Sequence, residues 1–347
     1  MIDMNFVDMT LPEMKEQISL LGEKSFRAKQ IYEWINVKNA SSWDEMTNLP
    51  KNLRAKLEAE EPLNTPRERD RQISAVDGTR KYLFEMHDGQ FVESVLMKYK
   101  HGNTVCISSQ VGCRMGCAFC ASTIGGLTRN LTAGEMLGQI YAIERDLGER
   151  ISNVVVMGTG EPLDNYDNLI RFIRMLTDKN GHNISERNVT VSTCGIVPGI
   201  RKLKDEDLMI NLALSLHAPN DELRKTIMPI ARKYSLDEIF QALKEYYSVG
   251  RRRLTFEYSL MEGVNDSDEC VRELAAKLQN LNCLVNLIPV NPVRERKFTA
   301  TDRTAAFAFQ KKLENYGINV TIRREMGRDI DGACGQLRKR YLETDNV

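Results

Sequence analysis

Between Leu11 and Glu60 apolar residues recur at helical spacing: Leu11, Met14, Ile18 and Leu21, then Phe26, Ile31, Trp34 and Ile35, then Leu49, Leu53 and Leu57. That period predicts a small helical module. Residues 62–71 are polar, punctuated by Pro62 and Pro66, and read as a linker. Lys81–Met86 and Gln90–Met97 then alternate, flanked by Asp77-Gly78 and Asp88-Gly89, which predicts an antiparallel ribbon with tight turns. Past about residue 100 the rhythm changes to short β-branched runs: Thr104–Ser108, Val154–Met157, Val189–Ser192, Ile210–Leu216, Leu254–Leu260 and Leu284–Val290. Helical-period segments separate them, at Ala133–Asp146, Tyr166–Thr177, Leu236–Val249, Asp268–Leu281 and Thr301–Tyr316. Six strands alternating with helices predict an α/β fold, an open partial (β/α)6 barrel two units short of a closed one, with its site at the carboxyl ends of the strands. The predicted organisation is a helical N-terminal domain over residues 1–62, a linker and β-ribbon over 63–100, and a core over 101–347 ending in an extension that carries Cys334.

A chain of 347 residues needs neither disulfides nor a structural metal to bury a sufficient core, so its eight cysteines require another explanation. Three of them fall within Cys113–Cys120, which is not the spread of a secreted disulfide framework and points to a metal site in a reducing compartment. Lys+Arg and Asp+Glu both total 48, which excludes a polycation and leaves contact with nucleic acid to local patches. Candidate patches are Arg67–Arg71, Arg251–Arg253, Arg294–Lys297, Arg323-Arg324 and Arg338–Arg340. The longest apolar runs are far below a membrane span, and Met1–Thr10 carries no signal pattern. The expectation is a soluble, cytoplasmic protein with no membrane partner.

Cys113-Arg114-Met115-Gly116-Cys117-Ala118-Phe119-Cys120 has the spacing C-x3-C-x2-C, with no fourth Cys or His nearby at ligand spacing. Soft thiolates select zinc or iron–sulfur clusters. A closed zinc site wants four protein ligands, whereas a three-ligand cluster leaves one iron open to a small molecule. Zinc with a distant fourth ligand, or a redox pair with a spare thiol, stays open on spacing alone. Gly158-Thr159-Gly160-Glu161-Pro162 follows the second predicted strand, where glycines let backbone approach a ligand and Glu161 can accept from an ammonium group. Taken alone, such a turn is ordinary. Ser192, Ser215 and His217 lie at the ends of the third and fourth strands, and Asn291 follows the sixth.

With Phe119 between Cys117 and Cys120, the triplet resembles the C-x3-C-x-Φ-C signature of the radical S-adenosylmethionine (SAM) superfamily. The resemblance implies a [4Fe–4S] cluster on Cys113, Cys117 and Cys120, whose open iron chelates SAM and cleaves it to a 5′-deoxyadenosyl radical. It also implies SAM contacts from Gly160, Glu161, Ser192, Ser215, Leu216, His217 and Asn291. Asp329–Leu337, Leu212–Arg224, Cys106–Cys113 and Asn130-Leu131-Thr132 resemble the RlmN/Cfr family of radical SAM RNA methyltransferases, extending the likeness across nearly the whole chain.

C2 and C8 of adenine are electron-poor carbons that cannot attack the SAM methyl as a nitrogen or oxygen would. In the mechanism the resemblance implies, Cys334 takes a methyl from one SAM, and a second SAM yields the radical that converts this methyl into a methylene radical. That radical adds to the ring, so two SAM are used per turnover. Glu93 then accepts the ring proton, and Cys106 attacks the thioether sulfur to leave a transient Cys106–Cys334 disulfide. The implied substrates are 23S rRNA and, at the adenine 3′ to the anticodon, tRNA. A reductant such as flavodoxin supplies electrons to a monomeric enzyme, and residues 1–62 serve RNA recognition. Gly22–Trp34 and Met46–Pro50 are more similar to the C2-methylating RlmN branch than to the Cfr-type alternative, which methylates C8 and confers antibiotic resistance. Two other classes compete: a zinc-stabilised RNA-binding module, which gives Gly160-Glu161-Pro162 and Cys334 no role, and a glycyl-radical activase, which needs neither Cys106 nor Cys334. Cys194 departs from the pattern, where Ser or Val is expected, and puts a further thiol near the pocket.

Overall fold

The computed structural model describes residues 4–250, 252–290, 293, 295–331 and 336–344. Helices α1 (Leu11–Leu20), α2 (Phe26–Asn36) and α3 (Lys51–Glu60) form the N-terminal region. Thr10 and Glu13 close a capping box at the start of α1, the Glu13 carboxylate accepting from the Thr10 N–H at 2.8 Å. Phe6, Met14, Ile18, Ile31, Trp43 and Leu53 bury a core separate from that of the sheet, with Phe6 edge-on to Trp43 at 5.1 Å. Most of the helical period read from the sequence, Ile35, Leu49 and Leu57 included, closes on this core, whereas Phe26 stays exposed at the start of α2.

Twelve strands follow: β1 (Arg67–Ile73), β2 (Arg80–Glu85), β3 (Phe91–Tyr99), β4 (Gly102–Cys106), β5 (Gln110–Gly112), β6 (Leu127–Asn130), β7 (Asn153–Val156), β8 (Val189–Thr193), β9 (Asn211–Ser215), β10 (Leu254–Leu260), β11 (Cys283–Pro289) and β12 (Val320–Ile322). All but β5 and β6 join one sheet in the order β1-β2-β3-β4-β7-β8-β9-β10-β11-β12. Pairing is antiparallel as far as β4 and parallel from β4 onward. The crossovers carry α4 (Ala133–Leu147), α5 (Tyr166–Thr177), α6 (Val197–Lys204), α7 (Asp221–Ile227), α8 (Leu236–Gly250), α9 (Asp268–Leu278) and α10 (Arg303–Asn315), and α11 (Gln336–Thr344) closes the chain. The six expected barrel strands are present, and the three-residue β12 adds a seventh parallel edge.

Where the sequence reads as a linker, Arg67–Ile73 is instead the outer strand of the ribbon. Its polar run has no alternation because it is an edge: Arg69 pairs with Glu85 at 3.1 Å, and Arg71 pairs with Asp146 at the end of α4. Charge on such an edge also discourages pairing with other chains. The short hairpin β5–β6 and helix α6 escape a periodicity reading, since each is too brief and too rich in Gly or Pro to show a period.

The N-terminal helices seat on the core through specific polar contacts. Arg171 of α5 forks onto Glu13 at 2.7 and 2.9 Å, Tyr32 donates to Asp178 at 2.8 Å, and the Asp8 carboxylate accepts from the Gly134 N–H at 2.7 Å. That last bond places an acid at the positive end of α4. A Cβ at Gly138 of α4 would come 2.3 Å from Pro66, so the segment entering the ribbon lies directly on this helix. No helix among the described residues is long and apolar enough to cross a membrane.

Candidate active site

The carboxyl ends of β7 to β11 converge on a cavity of about 260 Å³ lined by Cys113, Cys117, Cys120, Gly160, Glu161, Ser192, Ser215 and His217. The cysteine loop hangs from the end of β5, and β5 pairs with β6, so Cys113–Cys120 form the tip of a hairpin arm. Its backbone is tied down: the Cys113 N–H donates to Gly126 O at 2.9 Å, and Thr123 Oγ1 donates to the carbonyls of Cys117 and Cys120 at 3.2 and 3.0 Å. Burial and the neighbouring thiols push the Cys113 thiol up to about 12 and raise Cys117 as well. Such thiols give up their protons when a metal binds, since the thiolate is the ligand. Among the described residues no three His, Cys, Asp or Glu side chains converge tightly enough for a single metal ion. All three thiols line the one cavity, a soft donor set of the kind that iron–sulfur clusters and zinc take.

Glu161 is buried beside them. One carboxylate oxygen accepts from the Cys194 N–H at 2.7 Å and the other from the Leu163 N–H at 3.1 Å. Burial raises its pKa. Its second lone pairs can still accept from a ligand ammonium group. Gly160, at φ +114°, makes this placement possible, because a Cβ there would sit 2.7 Å from both Gln110 Cβ and Ser109 Oγ. Gly160→Ala is expected to lose roughly 1–3 kcal/mol through its backbone conformation alone. It should also displace Glu161, seen as weaker SAM binding in calorimetry of the reconstituted protein. Unchanged stability and affinity would refute this account of the turn.

Ser192 and Ser215 Oγ atoms meet at 3.2 Å across β8 and β9. His217, at φ +56°, accepts from the Ser259 N–H through Nδ1 at 2.9 Å, which assigns its proton to Nε2. Burial lowers its pKa to about 3, so the ring is neutral and its Nε2–H is a donor. Phe119 packs against it edge-on at 5.0 Å, linking the cysteine loop to the strand ends. Leu216 does not line the cavity. Its side chain lies in the core, its N–H donates to Glu257 O at 3.0 Å, and its carbonyl accepts from Arg224 Nε at 3.1 Å. Asn291 lies outside the described residues, next to the cavity-lining Val290.

Glu257 and Ser259 were not singled out from the sequence, and Arg323 was read only as part of a basic patch, yet all three line the same cavity. A charged residue inside the apolar strand Leu254–Leu260 was the available signal. Glu257 is held by Asn286 Nδ2 at 2.9 Å, and burial raises its pKa against the opposing pull of Arg323.

A second cavity, of about 390 Å³, adjoins the first through Met157, Ile288, Val290 and Arg323. Cys106, at the end of β4, lines it together with Val95, Met97, Ile330 and Gln336. Glu93 is two residues from Val95 on β3 and so shares its face. It is buried, its carboxylate lying 3.1 Å from Lys81 Nζ and accepting from the Arg338 N–H at 2.6 Å. Cys334 lies outside the described residues, but residues on both sides of it, Ile330 and Gln336, line the cavity of Cys106. Several of the basic patches are engaged: Arg71 with Asp146, Arg252 with Asn211, Arg296 with the cysteine loop.

Residues 107–275 match the model of the radical SAM superfamily, and residues 4–61 match that of the ribosomal RNA large subunit methyltransferase N-terminal domain. The chain is 59% identical over 337 residues, 95% of each chain, to a protein of Lachnospira eligens named as a probable dual-specificity RNA methyltransferase RlmN. It is 58% identical to one of the same name from Lachnoclostridium phytofermentans, over 98% of this chain and 95% of the relative. A crystal structure of a radical SAM methyltransferase from Sphaerobacter thermophilus superposes with a TM-score of 0.92 at 44% identity, covering 96% of this chain and 98% of that one. Superfamily membership implies a [4Fe–4S] cluster and SAM, the groups to which the thiol-lined cavity is suited. With relatives this similar over their full length, the chain belongs to the RlmN family of radical SAM RNA methyltransferases.

Proposed function

We propose that the protein methylates C2 of a specific adenine in 23S rRNA and of the adenine 3′ to the anticodon in tRNA, with Cys334 as the methyl carrier. The observation that carries the reading is the pair of adjoining cavities: thiols for a cluster beside the Glu161 carboxylate in one, Cys106 and the flanks of the Cys334 segment in the other. A cluster held by Cys113, Cys117 and Cys120, with SAM beside it, supplies when bound the methyl group and the carbon radical that this unreactive position needs. Glu161 accepts from the SAM ammonium group, and Gly160, Ser192, Ser215, His217 and Asn291 complete the pocket, with Leu216 shaping it through its backbone. Two SAM are used per turnover.

Cys334 carries the methyl to the base; once the methylene radical has added to the ring, Glu93 takes the proton from the ring carbon, the unpaired electron of the adduct would leave to a one-electron acceptor such as the oxidised cluster, and the thiolate of Cys106, in the second cavity, attacks the Cys334 sulfur. The carbon–sulfur pair passes to the methylene carbon, which is protonated, and the resulting disulfide is returned to thiols by a cellular reductant. A target adenine leaves its stack to reach these groups. Residues 1–62 act as an RNA-recognition domain, the ribbon in residues 63–100 supports the C-terminal segment, and residues 101–347 hold the chemistry. The enzyme works as a cytoplasmic monomer, with a reductant such as flavodoxin as partner.

Anaerobic reconstitution with SAM, followed by mass spectrometry, is expected to find a methyl group on the peptide containing Cys334. An unmodified Cys334 in protein with an intact cluster overturns the reading. Nucleoside analysis of treated RNA decides position: 2-methyladenosine supports the proposal, and 8-methyladenosine replaces it with Cfr-type chemistry.

A further inference from the structure

A lysine side chain without solvent contact is rare unless its charge is matched, and Lys81 of β2 has a relative exposure of 0%. Its Nζ lies 3.1 Å from the Glu93 carboxylate and donates to the Asp331 carbonyl at 2.6 Å. Register explains the first contact: Lys81 faces Val95 and Leu83 faces Glu93, so Lys81 and Glu93 are diagonal neighbours on one face of the ribbon. The second contact reaches the residue that opens the Cys334 segment. On the far side of that segment, the other oxygen of Glu93 accepts from the Arg338 N–H at 2.6 Å. One buried ion pair therefore grips the chain both before and after Cys334. Further bonds brace the same stretch on the ribbon: Gln72 exchanges hydrogen bonds with Asp331 at 2.9 and 3.0 Å, and Asp329 accepts from Ser74 and from the Ala75 N–H.

We propose that Lys81 is a positioning residue that ties the Glu93 carboxylate to the chain on either side of Cys334, so that base and methyl carrier are presented to the same adenine. The inference rests on the assignment of Glu93 as the proton acceptor. The charged groups facing Glu93 among the described residues are Lys81 from β2 and Arg338 from α11. Held there, the carboxylate takes the proton from the ring carbon and becomes the carboxylic acid; the bonding pair stays with the ring, and the unpaired electron left by radical addition would pass to a one-electron acceptor such as the oxidised cluster. Without the ammonium group, Glu93 loses one of the contacts that hold its carboxylate in place. The slowed step is resolution of the protein–RNA adduct.

The test follows decay of the covalent adduct, per adduct formed, in the anaerobically reconstituted full-length enzyme with an RNA substrate. Lys81→Met is expected to slow release about tenfold, because the base is no longer held in place. Lys81→Arg keeps a cation beside Glu93 and should restore most of the rate. In a Glu93→Gln background, Lys81→Met should slow release no further, because Lys81 acts through Glu93. That comparison uses a pair with both charges removed and so remains available if the single variant does not fold. A wild-type release rate in Lys81→Met, or additive losses in the double variant, overturns the proposal. If Glu93→Gln itself releases RNA at the wild-type rate, or the wild type never methylates Cys334, the underlying assignment fails instead.

Discussion

Cys106→Ala is expected to leave the protein covalently attached to its RNA. The variant keeps the proposed methyl carrier, the cysteine loop and the SAM pocket, so Cys334 is still methylated and still becomes linked to adenine. What it loses is the second thiol, and with it the nucleophile that breaks the carbon–sulfur bond. Cys106 is buried at the end of β4, paired with Val95 on one side and Val155 on the other, and exchange for alanine removes one sulfur from a cavity wall without touching a ladder bond. Fold and cluster content should therefore survive. Turnover stops at no more than one RNA per enzyme, visible on a denaturing gel as a band that ribonuclease shortens and that Cys334→Ala never forms. Free methylated RNA at the wild-type rate from Cys106→Ala would eliminate the two-thiol mechanism.

Periodicity located nearly every element whose faces differ in polarity, because burial on one side imprints a period of 3.6 or 2. It passed over β1, whose partners are charged residues on β2 and α4, and α6, whose eight residues include Pro198 and Gly199. The cysteine loop was legible because ligand spacing is local in sequence. Lys81 was not: it reads as the polar end of an alternating run, and only strand register brings it to a carboxylate twelve residues away. Glu257 and Arg323 were missed as site residues for the same reason, one lying inside a barrel strand and the other just past an edge strand, each meaningful only once the strands enclose a common cavity. Leu216 belongs to a run that carries strong family likeness, yet its side chain faces the core, since likeness along a run does not say which of its residues face the ligand.

Arg224→Leu should be among the most destabilising single changes in the core. Arg224, on α7, has a relative exposure of 0%, and its guanidinium donates to Leu216 O at 3.1 Å, Cys194 O at 2.6 Å and Ser215 O at 3.1 Å. Those carbonyls lie at or just past the ends of β8 and β9. Burial lowers the arginine's pKa while the thiols of Cys194 and Cys117 pull it back, so the charge is held at some expense. Leucine recovers part of that expense but leaves three carbonyls without their donor, each costing about 1–3 kcal/mol. Removing one partner of a buried charged network typically costs on the order of 3–5 kcal/mol, and we expect a net loss in that range from denaturant unfolding. Arg224→Lys should recover only part, because a compact ammonium cannot span three acceptors as a planar fork does. Stability within about 0.5 kcal/mol of wild type would show that the carbonyls find other donors. Ser192, Ser215 and His217 ride on these strand ends, so SAM affinity should fall together with stability. If affinity fell while stability held, the guanidinium would have to act on the ligand or cluster across Cys117, and its role as a tie between the strand ends would be disproved.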